Sequence, residues 1–181
     1  MSEFERPTRL DQIGAGESDI HVEADAGERA ALAARFGLVA IDSLAAHYRL
    51  RRDAIGIVAS GHLSGRVTQS CVVTGEPLPA KIEEDFAIRF VPEPEQGGGE
   101  EEIELSEDSC DTVFFTGGTI DLGEAAAETL ALALDPFPRS PNAAEALKEA
   151  GVLSEEEARR LAEETGPFGG LAALRDQLGR K

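Results

Sequence analysis

Apolar residues recur first at helical spacing, then at every second position, then at helical spacing again. Residues 1–22 read as extended. Asp25 with Glu28 three places on has the form of a capping box, in which each side chain accepts from the other's orphan amide. The helix it opens runs through Ala30, Leu32, Ala33 and Phe36, and Gly37 is its natural terminator. One helical turn is expected around 42–44.

The period then becomes two. Ala46, Tyr48 and Leu50 alternate with His47, Arg49 and Arg51. After a turn near Arg52-Asp53, alternation resumes. Ile57, Ala59, Leu63, Val67, Cys71 and Val73 fall on one face, with Ser60, His62, Ser64, Arg66 and Thr74 on the other. Such regularity predicts a strand, and its length predicts bends at Gly61 and Gly65. Residues 75–79 read as a turn. The next strand places Ile82, Phe86, Ile88 and Phe90 together, with Glu84 the exception on their apolar face. Residues 92–102 read as a loop, 103–105 and 113–115 as short strands, and Gly117-Gly118 as a turn.

Asp121 and Glu124 repeat the capping pattern. Leu122, Ala125, Ala126, Thr129, Leu130 and Ala133 follow at helical spacing, up to Asp135-Pro136. Residues 136–141 read as a rigid linker. Ser154 caps a further helix ended by Gly166-Pro167, and 168–178 form a last short one. The pattern predicts an α+β fold. Antiparallel strands between about 45 and 120 form a bent sheet or partial β-barrel, covered by helices near 27–36 and 122–134, with a C-terminal helical segment.

Charge sharpens this picture. The 181 residues carry 17 Lys and Arg against 35 Asp and Glu, a net of −18. Between Phe90 and Pro138 there are thirteen acids and no Lys or Arg. Such a chain repels bare phosphate and attracts basic partners. No apolar run reaches the ~18–20 residues of a membrane span, and the opening MSEFERPTRL is too polar for a signal peptide. Two widely spaced cysteines fit reduced thiols, so a cytoplasmic protein with no membrane association is expected.

Catalytic chemistry finds little support. Ser64 in Gly61-His62-Leu63-Ser64-Gly65 is one place too late for a nucleophile elbow, and it sits inside a strand. Cys71 falls on the apolar face and reads as a small buried residue. Cys110 lies among Glu107, Asp108 and Asp111, which disfavour a thiolate. No Cys or His pair has metal-ligand spacing, although His47 and His62 could face each other across a hairpin. Gly97-Gly98-Gly99 is followed by acids rather than the Lys-Ser/Thr of a phosphate loop. No cofactor, metal or catalytic set is expected. Glu84 reads as a rim acid.

Several segments occur in a familiar order. They are Cys71-Val72-Val73-Thr74 with Glu76-Pro77, then Asp121-Leu122-Gly123-Glu124 with Glu128, then Pro136-Phe137-Pro138-Arg139. The stretch from Glu28 to Leu38 and the tail with Gly166-Pro167-Phe168 add to the set. The chain resembles the YceD family, the large ribosomal RNA subunit accumulation proteins, in their alphaproteobacterial form. The resemblance implies a role in 23S rRNA accumulation and large-subunit assembly. In many bacteria the family's gene lies beside that of a small basic ribosomal protein. Thr74 stands where many members have the second cysteine of a C-x-x-C pair, so this chain departs from any metal or redox use of that pair.

Resemblance and charge lead to the same expectation. A YceD-like domain over 1–141 carries a helical extension over 142–181. The protein is expected to be a non-enzymatic factor that binds a basic large-subunit ribosomal protein through Glu100, Glu101, Glu102, Glu104, Glu107, Asp108 and Asp111. The alternative is an RNA-binding module, contacting rRNA or a pre-ribosomal particle through Arg49, Arg51 and Arg66 on an exposed sheet face.

Overall fold

The computed structural model describes residues 3–93 and 111–165. Its strands are β1 (Pro7–Arg9), β2 (Ser18–Glu23), β3 (Ala40–Arg52), β4 (Ile57–Ser70), β5 (Pro77–Pro92), β6 (Asp111–Phe115) and β7 (Thr119–Asp121). Its α-helices are α1 (Ala26–Phe36), α2 (Leu122–Ala133), α3 (Ala143–Glu149) and α4 (Glu155–Thr165). The class is α+β, as expected. The chain divides into two compact units, one of Met1–Ser70 with Pro77–Pro138, the other of Cys71–Glu76 with Arg139–Lys181.

In the first unit, a five-stranded sheet has the order β2-β3-β4-β5-β6 and does not close into a barrel. Two further departures from expectation concern pairing. β6 lies parallel to β5, and β7 leaves the sheet to pair with β1. Residues 42–44 are strand rather than a helical turn, with a register shift between Ile41 and Ser43. Pairing of β4 with β5 runs unbroken through Gly61 and Gly65, so neither interrupts the ladder. β5 begins at Pro77, earlier than the turn expected over 75–79. Because β6 pairs only with Ile88–Pro92, the first half of β5 lies at an edge, where prolines are tolerated. The strand expected over 103–105 and the loop over 94–102 lie outside the described residues.

The core lies against one face of this sheet. Leu44, Tyr48, Leu50, Leu63 and Val67 are fully buried there, with Leu32 of α1 and Leu122 and Leu130 of α2. Burying one such side chain stabilises the fold by about 1.5–3 kcal/mol. Tyr48 keeps its hydroxyl satisfied by donating to the Leu122 carbonyl at 2.7 Å, and burial raises its pKa. Both predicted caps form. Asp25 and Glu28 make the reciprocal box, while Asp121 accepts from the Gly123 and Glu124 amides. Arg6 grips Glu28 through both guanidinium nitrogens, at 2.6 and 2.8 Å. Arg35 joins α1 to Glu124 of α2.

In the second unit, α3 was not anticipated as a separate helix. Ser154 caps α4 as expected: its hydroxyl accepts from the Glu157 amide, and Glu157 accepts from the Ser154 amide.

Candidate functional site

Alternation sends every second side chain of β2 to β5 away from the core. Register then sets those side chains in rows. One row is His21, His47, His62 and Asp85, which face one another across four strands. It contains all three histidines of the chain, and the His47–His62 pairing is the one foreseen. His62 Nδ1 lies 2.7 Å from Asp85 and Nε2 lies 2.8 Å from Glu83. Hydrogen bonds to Glu83 and then Asp85 raise its pKa, because imidazolium can donate to both carboxylates at once. Each nitrogen is thereby occupied. Among the described residues no three His, Cys, Asp or Glu converge on a metal position.

Arg49, Arg51 and Arg66 share this open face with Lys81, which pairs with Arg66 across β4 and β5. The three arginines are exposed, and no hydrogen bond or ion pair engages them among the described residues. They do not form a tight cluster. Arg66 faces Ser43, eight positions along β3 from Arg51, which is roughly 26 Å at 3.3 Å per residue. Sequence reading missed His21 and Lys81 here. Both sit at polar positions of an alternating strand, but only the register aligns them with the others.

The family-motif residues divide between the two units. In the second unit, Cys71 begins the β4–β5 turn rather than continuing the strand. Its amide donates to the Glu76 carbonyl at 2.8 Å, and the Gly75 amide donates to the Cys71 carbonyl at 2.9 Å. The Cys71 sulfur accepts from the amides of Ser140, at 3.2 Å, and Thr74, at 3.4 Å. Glu76 accepts from Thr74 and Asn142. Burial alone raises a thiol pKa, but the hydrogen bonds from Thr74 and Ser140 outweigh it and bring Cys71 down to about 6. Cys71 is buried, as its place on the apolar face predicts, and its sulfur is in addition a hydrogen-bond acceptor. Hydrogen bonds from Ser140, Asn142 and Thr74 likewise lower the Glu76 carboxyl. Ser140 and Asn142 follow the Pro136–Arg139 motif, yet nothing in their spacing points to the cysteine.

In the first unit, Pro77 opens β5, Asp121 caps α2 and Leu122 is in the core. Pro136 is exposed and Pro138 buried; in the second unit Arg139 is exposed. Glu128 sits on α2, where burial and then the charge of Glu124 raise its pKa. Glu84 points to the core side of β5, opposite Leu63, and is exposed. Beyond it β5 has no neighbour until β6 begins at Ile88, so a rim position at the sheet edge explains an acid on an apolar face. Of the expected acidic partner site, Asp111 opens β6 and is exposed. Glu100, Glu101, Glu102, Glu104, Glu107 and Asp108 lie outside the described residues, as does Cys110.

No helix among the described residues is long and apolar enough to cross a membrane. No curated protein and no solved structure matches the chain. A family model does, over residues 59–175, described as large ribosomal RNA subunit accumulation protein YceD. The match takes in the Cys71 turn, the Asp121 cap and α2 through α4, and it spans well over half of the sequence. The chain belongs to the YceD family.

Proposed function

We propose that the protein is a non-enzymatic, cytoplasmic factor that supports 23S rRNA accumulation and large-subunit assembly by capturing a basic large-subunit ribosomal protein through its acidic segment. The observation that carries this reading is the run of acid in the sequence. The thirteen acids between Phe90 and Pro138 are undiluted by any Lys or Arg, whereas the open sheet face mixes Arg49, Arg51, Arg66 and Lys81 with Asp19, Glu83 and Asp85. An undiluted acidic field accelerates encounter with a cationic protein and rejects free RNA. Holding the client until it meets rRNA would protect both, which accords with the family's role in rRNA accumulation.

The test is a pull-down at low salt, comparing the wild-type chain with one in which Glu100, Glu101, Glu102 and Glu104 are changed to Gln. Enrichment of one basic ribosomal protein, lost in the variant and at 1 M salt where screening shortens to about 3 Å, is the expected result. Salt-independent capture would count against the charge mechanism.

The unpartnered arginines favour a second reading, in which the open face binds rRNA directly. Retained binding of large-subunit RNA by both chains, lost on Arg49→Glu with Arg51→Glu, would establish it instead.

A further inference from the structure

A groove of about 310 Å³ runs between α2 and the β5–β6 edge in the first unit. Its apolar lining includes Phe86 and Ile88 of β5, Val113 of β6 and Leu132 of α2. Leu132 is 82% exposed, near Glu128, which is also exposed. Four acidic residues, Glu84, Asp85, Asp111 and Glu128, line the groove, and no Lys, Arg or His does. The Asp85 carboxylate itself is on the opposite, open face of β5, engaged with His62. The carboxylates of Glu84, Asp111 and Glu128 have no hydrogen-bond or ion-pair partner among the described residues.

We infer that this groove seats a basic amphipathic peptide segment, with apolar side chains on Phe86, Ile88 and Leu132 and Lys or Arg reaching Glu84, Asp111 and Glu128. The inference rests on the proposed capture of a basic protein and names where the client docks. Two features select this occupant. The volume is at the lower end of the roughly 300–1,000 Å³ typical of ligand pockets, enough for a few side chains of a peptide segment. Its charge is of one sign, so a neutral or acidic segment would leave these carboxylates uncompensated as they lose water. Glu128 already bears part of that cost, since burial raises its pKa. A cationic head would reverse it. Nucleic acid fits poorly, because the carboxylates of Glu84, Asp111 and Glu128 would meet phosphate.

The test places a photo-crosslinking p-benzoylphenylalanine at position 132 in the full chain, and at position 60 on the open face as a control. The probe is the total protein extracted from purified large ribosomal subunits. The expected result is a crosslink from position 132 to a basic protein, mapped to a segment where Lys or Arg flanks apolar residues. Glu84→Gln with Glu128→Gln should reduce it at least tenfold without lowering the melting temperature. Three results overturn the groove: crosslinks only from position 60, a yield indifferent to the two Gln substitutions, or a crosslink from 132 to the chain's own residues 94–110 that the probe does not displace. If a client is pulled down and position 132 stays silent, only the groove falls. If no basic protein binds the wild-type chain, the capture reading falls with it.

Discussion

Cys71 illustrates how far one side chain can depart from what its neighbours in sequence imply. Its apolar surroundings predict an inert thiol, but two backbone amides point at the sulfur, and amides stabilise thiolate over thiol. Its titration, followed by ultraviolet thiolate absorbance, should have a midpoint about 6. Thr74→Val, which removes a hydroxyl from beside the sulfur, should raise that midpoint. A wild-type midpoint near the ordinary value of about 8.5 would refute this account. His62 moves the opposite way. Hydrogen bonds to Glu83 and Asp85 raise its pKa above 6.5, so proton uptake favours the folded form. The contribution of this cluster is fully present below the ordinary histidine pKa and is lost as pH rises through the His62 midpoint. A pH titration by NMR should place that midpoint above 6.5 in the native chain, and lower in Glu83→Gln with Asp85→Asn. Equal midpoints in both would show that the two contacts do not persist in solution.

At the scale of elements, close approach decides what periodicity cannot. Gly61 lies between Tyr48 and Phe86 in the ladder, and the two rings meet at 4.9 Å between centroids. A Cβ there would stand 2.0 Å from the His47 carbonyl oxygen and 2.7 Å from the Phe86 ring. The carbonyl belongs to a paired strand and has little freedom to move. Gly61→Ala should therefore destabilise the fold by about 1–3 kcal/mol, as overpacking does elsewhere, read as a lower urea midpoint at constant slope. A change within about 0.5 kcal/mol, the range of ordinary surface substitutions, would mean that the strands give way easily. The same contrast explains what was legible in the sequence. Both capped helices and the long alternation of β4 were legible, because their signals lie within a few residues. Cys71-Val72-Val73-Thr74 continues that alternation by chance, so the period hid a turn closed by the Cys71 amide and the Glu76 carbonyl. The direction of β6 and the pairing of β1 with β7 depend on partners far away in the chain, and no local pattern encodes them. The arginine face was half legible: alternation gave each residue's side, but not the rows.

For the whole molecule, the question is which electrostatic effect governs stability. Ion pairs favour the fold, and nine occur among the described residues, seven from Arg or Lys and two from His62. Most are partly or fully exposed, and such pairs contribute about 0–1 kcal/mol each. Against them stands a net charge of −18, whose self-repulsion opposes the compact state. Added salt weakens both. The pairs lose little, because partner groups at 2.6 to 3.6 Å lie well inside the roughly 10 Å screening length at 0.1 M. Repulsion acts over longer distances and loses more. The melting temperature should therefore rise as sodium chloride increases from low to moderate concentration, by several degrees if the relief is 1–2 kcal/mol, since each kcal/mol shifts a domain of this size by about 2–4 °C. Neutralising Glu100, Glu101, Glu102 and Glu104 should flatten that dependence and weaken capture of a basic client together. The same undiluted charge is invoked for both. If the melting temperature falls with salt, the ion pairs dominate. If the variant loses the client while its salt dependence of melting is unchanged, those glutamates act by contact rather than through the field.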